Sequence, residues 1–111
     1  REGLYNSLLS DIVTPMLPVL DNLEKAVDVK TEDEAYKTGI DLVLKQFKDV
    51  LNSLGVTEIE TVGQNFDPEV HEAVSSVQDD TLGEKVVKEV FRKGYKIGSK
   101  VIRHAMVVVA N

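Results

Sequence analysis

A chain of 111 residues can form one compact domain, or a helical segment with a small appended module. It has no cysteine, which excludes a disulfide framework and a thiolate metal site and fits a reducing cytoplasm. No apolar run approaches the roughly 20 residues that a membrane span needs. The chain begins without a methionine or a signal-peptide pattern, so we expect a fragment or a processed chain.

The formal net charge of −6 conceals an uneven distribution of charge. Residues 1–83 hold 6 basic and 17 acidic residues, a net of −11, whereas residues 84–111 hold 7 basic and 2 acidic residues, a net of +5. The acidic majority would repel phosphates, which argues against a nucleic-acid partner. A basic surface that meets an acidic protein partner and a merely solvated set of charges both remain open.

Residues 1–28 are predicted to be helical, because their apolar residues repeat at alternating intervals of four and three. This heptad seam comprises Tyr5, Leu9, Ile12, Met16, Val19, Leu23 and Ala26. Pro15 and Pro18 interrupt the pattern. Each proline removes a backbone donor and crowds the preceding turn, so we expect a kink near residues 11–18.

A second helix is predicted from Thr31 to Gly55. Thr31 opens a Ser/Thr-x-x-Glu capping box, and Gly55 tolerates a positive φ at a helix end. Its apolar stripe comprises Tyr36, Ile40, Val43, Phe47, Val50 and Leu54. Gly39 interrupts the helix interior, where glycine costs about 1 kcal/mol relative to alanine. It is either a tolerated surface glycine or a point where a helix or a partner approaches closely.

The two wide apolar stripes cannot be buried against each other alone, so we expect two copies of the chain to form a parallel dimer through a four-helix bundle. The interface residues expected from the stripes are Leu9, Ile12, Met16, Val19, Leu23, Ile40, Val43 and Phe47.

The pattern changes after Gly55 from helical spacing to short β-branched runs. Residues 56–62, 74–77, 86–91 and 100–109 are predicted to be strands, and Lys93-Gly94-Tyr95 and Gly98-Ser99 are turn signals. The chain is therefore predicted to be an α+β protein, with a helical dimerisation part at residues 1–55 and a small all-β domain at residues 56–111.

Sequence signatures of enzymes are missing: the chain has no phosphate-binding glycine loop, no nucleophile elbow and no His-Glu-x-x-His motif. Its two histidines lack the spacing of a metal site, so we expect no catalytic residue, no metal and no cofactor. His71 is expected to order a loop, and His104 is expected to lie within a strand. Stacking platforms for nucleic acid interleave several aromatic and basic residues, which the basic segment does not.

Three separated segments stand out as motifs: LPVLDNLEKA at residues 17–26, NFDPEVHEAV at residues 65–74, and KGY at residues 93–95 followed by VIRHAMVVV at residues 101–109. Together they resemble the GrpE family of nucleotide exchange factors. The second and third match the family's Asp-Pro-x-x-His-(Glu/Gln)-Ala stretch and its Gly-Tyr turn with the following Ile/Leu-Arg-x-Ala-x-Val strand. The family's long N-terminal paired helix is almost entirely absent from the sequence.

The resemblance implies a homodimeric bacterial cochaperone with a helical bundle and two β wings, one of which binds the ATPase domain of a DnaK-class chaperone and promotes ADP release. By matching position it places Phe91, Lys100, Arg103 and Val109 at the chaperone contact of the wing, and Lys25 and Gly39 at the contact of the bundle. From the residues alone, Phe91 and Val109 could instead fill the wing's core. A coiled-coil adaptor for another protein, and a small hydrolase that uses His71, are the alternatives.

Overall fold

Three α-helices form the first part of the chain: α1 at Glu2–Val13, α2 at Leu17–Val27 and α3 at Glu34–Ser53. The computed structural model describes residues 2–111. The chain divides into two compact units, of which the first ends at Val56 and the second runs from Thr57 to Asn111. Within residues 2–111, none of the helices is both long and apolar enough to cross a membrane.

The two prolines interrupt the first helical segment as predicted. A 3₁₀ turn at Thr14–Met16 separates α1 from α2, and Pro15 lies within it. The Thr14 hydroxyl donates to the Ser10 carbonyl oxygen at 2.7 Å, one turn earlier. Pro18 lies in the first turn of α2, where its missing N–H removes no helical hydrogen bond.

Helix α3 begins later than the predicted capping box at Thr31, and that prediction was wrong. Asp33 is the N-cap, since it has an extended backbone and its Oδ1 accepts from the Tyr36 N–H at 3.1 Å. The Thr31 hydroxyl oxygen instead accepts from the Asp33 N–H at 3.1 Å and so orders the residues before the cap. The predicted end is confirmed, because α3 stops at Ser53 and Gly55 has a φ of 92°.

The buried side chains of the first unit lie on a different side of the helices from the predicted seam. Val13, Leu17 and Leu20 are fully buried, and Leu51 of α3 is nearly so. Helices α2 and α3 are also linked by an ion pair between Glu24 and Lys48, with 3.7 Å between Oε1 and Nζ. Of the predicted seam, only Leu9 is buried within the chain.

Six strands form the second part of the chain in two three-stranded sheets. They are β1 at Val56–Glu58, β2 at His71–Val77, β3 at Val86–Arg92, β4 at Tyr95–Ile97, β5 at Lys100–Arg103 and β6 at Ala105–Ala110. One sheet has the order β1-β4-β5 and the other has the order β2-β6-β3, in which β6 runs parallel to β2 and antiparallel to β3. Helices followed by these two sheets confirm the predicted α+β class.

The predicted strands differ from the observed ones in several places. Strand β2 begins at His71, before the predicted run at residues 74–77, and Tyr95, which was predicted to lie in a turn, begins strand β4. The run at residues 56–62 is a strand only as far as Glu58, and the run at residues 100–109 is broken at His104 into β5 and β6, which belong to different sheets. His104 is therefore an exposed residue between strands, and its predicted place within a strand was wrong. The core of the β2-β6-β3 sheet is formed by Val87, Ala105, Val107 and Val109, with Phe66 packed against it.

Candidate protein-binding surfaces

The helices expose the apolar side chains that the heptad pattern singles out. On α3, Val43 and Val50 are 47% and 54% exposed, and the expected interface residues Ile40 and Phe47 are half-buried. Along the first helical segment, Ile12, Met16 and Val19 are exposed and Leu23 is half-buried. Leu9 differs from the others, since its side chain is already buried within the protomer.

An apolar groove of about 310 Å³ lies along the exposed side of α3. Its lining consists of Met16, Val43, Gln46, Phe47, Val50, Leu51 and Leu54. Gln46 is the one polar residue in this set, so an occupant would meet an almost wholly apolar surface. The groove brings together residues from both predicted stripes, which is the arrangement that a helix of a second copy would need.

The two bundle residues that the family resemblance implicates are both exposed. Lys25 lies in the last turn of α2, where a cation interacts favourably with the helix dipole. A Cβ built on Gly39 would meet no atom within 4 Å beyond the adjoining backbone of its own helix. Residues 2–111 therefore contain no element that approaches Gly39 closely, and a close approach by a partner stays a prediction.

The four wing residues that the resemblance implicates have different environments. Phe91 on β3 is 71% exposed, and Lys100 at the start of β5 is exposed as well. Arg103 is half-buried, and Val109 is 8% exposed within the core cluster. The burial of Val109 favours the alternative in which it fills the core of the sheet, whereas Phe91 is free to contact a partner.

Arg103 stabilises the turn between β3 and β4. Its Nε and Nη2 both donate to the Lys93 carbonyl oxygen, at 3.0 and 2.7 Å. The guanidinium also lies 5.5 Å from the centre of the Tyr95 ring, within the range of a cation–π contact. Arg103 thus has a structural role within its own chain, and its expected contact with the chaperone stays a prediction.

Arg103→Lys is expected to destabilise the fold by about 1–2 kcal/mol, because an ammonium group cannot reproduce the planar fork on the Lys93 carbonyl oxygen. Arg92→Lys is the matched control, since Arg92 is exposed on β3 and should change stability by less than about 0.5 kcal/mol. Chemical denaturation of the two variants would measure the difference. Equal stabilities would show that the fork contributes nothing to the fold.

His71 is a structural residue at the start of β2, as the sequence led us to expect. It is 4% exposed, its Nδ1 accepts from the Asp67 N–H at 3.0 Å, and its Nε2 lies 3.3 Å from the Glu60 carbonyl oxygen. Its ring also lies 5.9 Å from the ring of Phe66. Because both ring nitrogens face backbone groups, the geometry does not favour a hydrolase that uses His71 as a base. Nor do residues 2–111 contain a cluster of three or more potential metal ligands.

Two charged residues have perturbed pKa values from local contacts. Hydrogen bonds from the Thr81 side chain and backbone, together with the nearby Lys88, lower the pKa of Asp79 to about 2. The hydrogen bond and charge of Asp49 raise the pKa of Lys45 one turn away on α3. Both pKa shifts come from ordinary structural contacts, so neither indicates an acid–base site.

Asn111 holds the loop between β2 and β3, a role that the sequence did not indicate. Its Nδ2 donates to the carbonyl oxygens of Asp79, Leu82 and Gly83, and its Oδ1 accepts from the Asp79 N–H. The contacts span about 30 positions of the sequence, so no local pattern could have indicated them.

Exposed apolar helix faces and a β unit with exposed aromatic and basic residues are features of a protein that acts by binding other proteins. The chain belongs to the GrpE family, whose model matches residues 1–111. It is 55% identical over 111 residues to Protein GrpE of Clostridium tetani, covering 100% of this chain and 55% of the relative.

Two further relatives show the same pattern of similarity. Protein GrpE of Clostridium acetobutylicum is 49% identical over 111 residues, with 100% of this chain and 55% of the relative covered. Protein GrpE of Bacillus velezensis is 45% identical over 102 residues, with 89% of this chain and 53% of the relative covered. The chain therefore spans about half the length of the curated relatives that it matches.

Proposed function

We propose that this protein is the part of a homodimeric nucleotide exchange factor that binds the ATPase domain of a DnaK-class chaperone and promotes ADP release in the bacterial cytoplasm. The observation that carries the proposal is the match of the GrpE family to residues 1–111. The exposed Phe91 and Lys100 support it, because they supply an aromatic and a cationic contact where the family resemblance expects them.

The exchange reaction needs no chemistry from the exchange factor. The factor binds the open form of the chaperone's nucleotide site more tightly than the closed form, and so raises the population of the open form. ADP prefers the closed form. Because coupling between two ligands is reciprocal, the factor and ADP weaken each other's binding by the same ratio. A rigid surface that fits the open form is sufficient. The β unit can provide such a surface, because Arg103 and the buried Gly94 fix the turn between β3 and β4.

The bundle contributes to the proposed function by holding two chains together as a dimer. In the proposed dimer, the apolar groove on α3 is covered by the second copy, and Lys25 and Gly39 stay exposed for the chaperone. Their exposure in the protomer is compatible with that role. The proposed dimer interface and the proposed chaperone contacts thus use different residues.

Lys100→Ala is expected to slow association with the chaperone about two- to tenfold at low salt and to reduce the salt dependence of the rate. Complementary charges mainly raise association rates, and salt screens them. Stopped-flow fluorescence at two ionic strengths would measure the effect, with thermal melts to show unchanged stability. Lys30→Ala removes the same charge from an exposed site before α3 and serves as the control.

If Lys100→Ala associates at the wild-type rate at low salt, Lys100 is a solvated charge and the proposed contact is misplaced. If the wild-type chain does not bind the chaperone with or without ADP, the adaptor alternative replaces the exchange-factor proposal. The two outcomes are distinguishable, because the first concerns one residue and the second concerns the partner itself.

A further inference from the structure

Among residues 2–111, no further strand pairs with the outer edge of strand β2. β2 lies at one end of the β2-β6-β3 sheet and pairs only with β6. His71 is buried, but every residue from Glu72 to Val77 is exposed. An edge strand presents free N–H and C=O groups, to which an extended chain can add as a further strand.

The orientation of the backbone can be followed from one hydrogen bond. The Asn111 N–H donates to the Val77 carbonyl oxygen at 2.8 Å, so the peptide groups of Val77 face β6. Because successive residues alternate along a strand, the N–H and C=O of Ser76 point away from β6. The register shifts between Ala73 and Ser75, and such bulges limit pairing at an edge. The regular stretch after the bulge carries neither lysine nor proline, the residues that commonly protect edges.

The opposite edge of the same sheet is not free in this way. The Gly63 N–H donates to the Val87 carbonyl oxygen, and the Val87 N–H donates to the Gln64 carbonyl oxygen, both at 2.9 Å. The Phe66 N–H donates to the Lys85 carbonyl oxygen at 2.8 Å. The beginning of β3 is therefore already covered by the chain's own backbone, whereas β2 has no such cover among the described residues.

The sequence within and around β2 is acidic. Residues 57–84 contain no lysine or arginine, and Glu69, Glu72 and Asp80 lie just before, within and just after β2. Across residues 2–111, none of these three carboxylates forms an ion pair with a lysine or arginine. Asp79 differs, since Lys88 lies 3.1 Å from its Oδ2. Carboxylates without an ion-pair partner within and beside β2 favour a cationic partner.

We propose that the outer edge of β2 binds an extended peptide segment that carries lysine or arginine. The free backbone groups of β2 pair with the segment, Glu69, Glu72 and Asp80 attract its cationic side chains, and the exposed Val74 and Val77 contact its apolar ones. This binding site goes beyond the proposed exchange function, which requires no peptide. It also uses residues other than Phe91 and Lys100.

The test uses the full 111-residue chain and two fluorescein-labelled peptides of alternating valine and threonine. One peptide has lysines at its ends and the other has glutamates, and fluorescence polarisation measures binding at two salt concentrations. The lysine peptide is expected to bind at least about tenfold more tightly than the glutamate peptide, with a difference that falls at high salt.

Backbone pairing is tested with two variants at one position. Ser76→Pro removes the outward N–H and is expected to weaken binding of the lysine peptide about three- to tenfold, whereas Ser76→Ala keeps the N–H and should bind like the wild type. Glu72→Lys tests the charge contribution separately from any folding defect of the proline variant. It should weaken binding of the lysine peptide and strengthen binding of the glutamate peptide.

Equal affinity of the two peptides, or no binding of either, would overturn the proposal. So would unchanged affinity in Ser76→Pro when circular dichroism shows a folded protein, because the edge would then take no part in binding. If Ser76→Pro reduces self-association in sedimentation without affecting the peptide, the edge pairs with a second copy, which also contradicts the proposal.

Discussion

Val43→Asp is expected to convert a dimer into a folded monomer at micromolar concentration. Val43 is 47% exposed in the protomer and lines the apolar groove on α3, so an aspartate there is tolerated by the isolated chain. In the predicted four-helix bundle, the same aspartate would be buried without a partner. That burial costs several kcal/mol, so the dimer dissociation constant should rise at least about a hundredfold. Sedimentation velocity would measure it.

Thr38→Asp is the matched control for this change. Thr38 is exposed on the same helix, and by helical spacing it lies on the side opposite the stripe of Val43 and Phe47. Thr38→Asp introduces the same charge outside the groove, so the dimer should persist. A wild-type chain that sediments as a folded monomer, or a Val43→Asp variant that remains dimeric, would exclude the predicted bundle interface.

Gly94→Ala is expected to destabilise the β unit by about 3 kcal/mol or more. Gly94 is buried between β3 and β4, and a Cβ built there would lie 2.8 Å from the Cα and 2.9 Å from the Cβ of Ala105. Ala105 is fully buried at the start of β6, so its backbone cannot move aside as an exposed side chain could. Overpacking against backbone falls at the upper end of the measured range for core substitutions. Chemical denaturation at fixed protein concentration would measure the loss.

Gly83→Ala controls for the general effect of replacing glycine in this unit. A Cβ at Gly83 would meet only the Val86 side chain, at 3.5 Å, which is ordinary van der Waals contact. Its expected change in stability is within about 1 kcal/mol. If the two alanine variants are equally stable, the close crossing at Gly94 does not constrain the fold.

The helices were predictable because their determinants are local. The alternating four- and three-residue intervals indicate α3, and Gly55 marks its end by adopting a positive φ. The start of α3 was less predictable, because Thr31 and Asp33 are both good N-caps and only the backbone conformation selects Asp33. A local pattern can propose two caps but cannot choose between them.

The strands were less predictable because long-range contacts determine their ends. Residues 100–109 form one valine-rich run in the sequence, yet the chain leaves one sheet and enters another at His104. The close packing of Gly94 against Ala105 occurs at this crossing, and no spacing rule within the run reveals it. Val109 shows the same limit: the family resemblance placed it at a chaperone contact, its residue type equally allowed a place in the core, and the structure buries it beside Val87 and Val107.

The proposed acceleration of nucleotide exchange is measured by the release of ADP from a chaperone ATPase domain. A fluorescent ADP analogue is loaded onto the domain and chased with unlabelled nucleotide, with and without the 111-residue chain. We expect the chain to accelerate release at least about fivefold, with saturation as the complex forms, because in the proposed mechanism the chain and ADP weaken each other's binding. An unchanged release rate, at concentrations where sedimentation shows the complex, would contradict it.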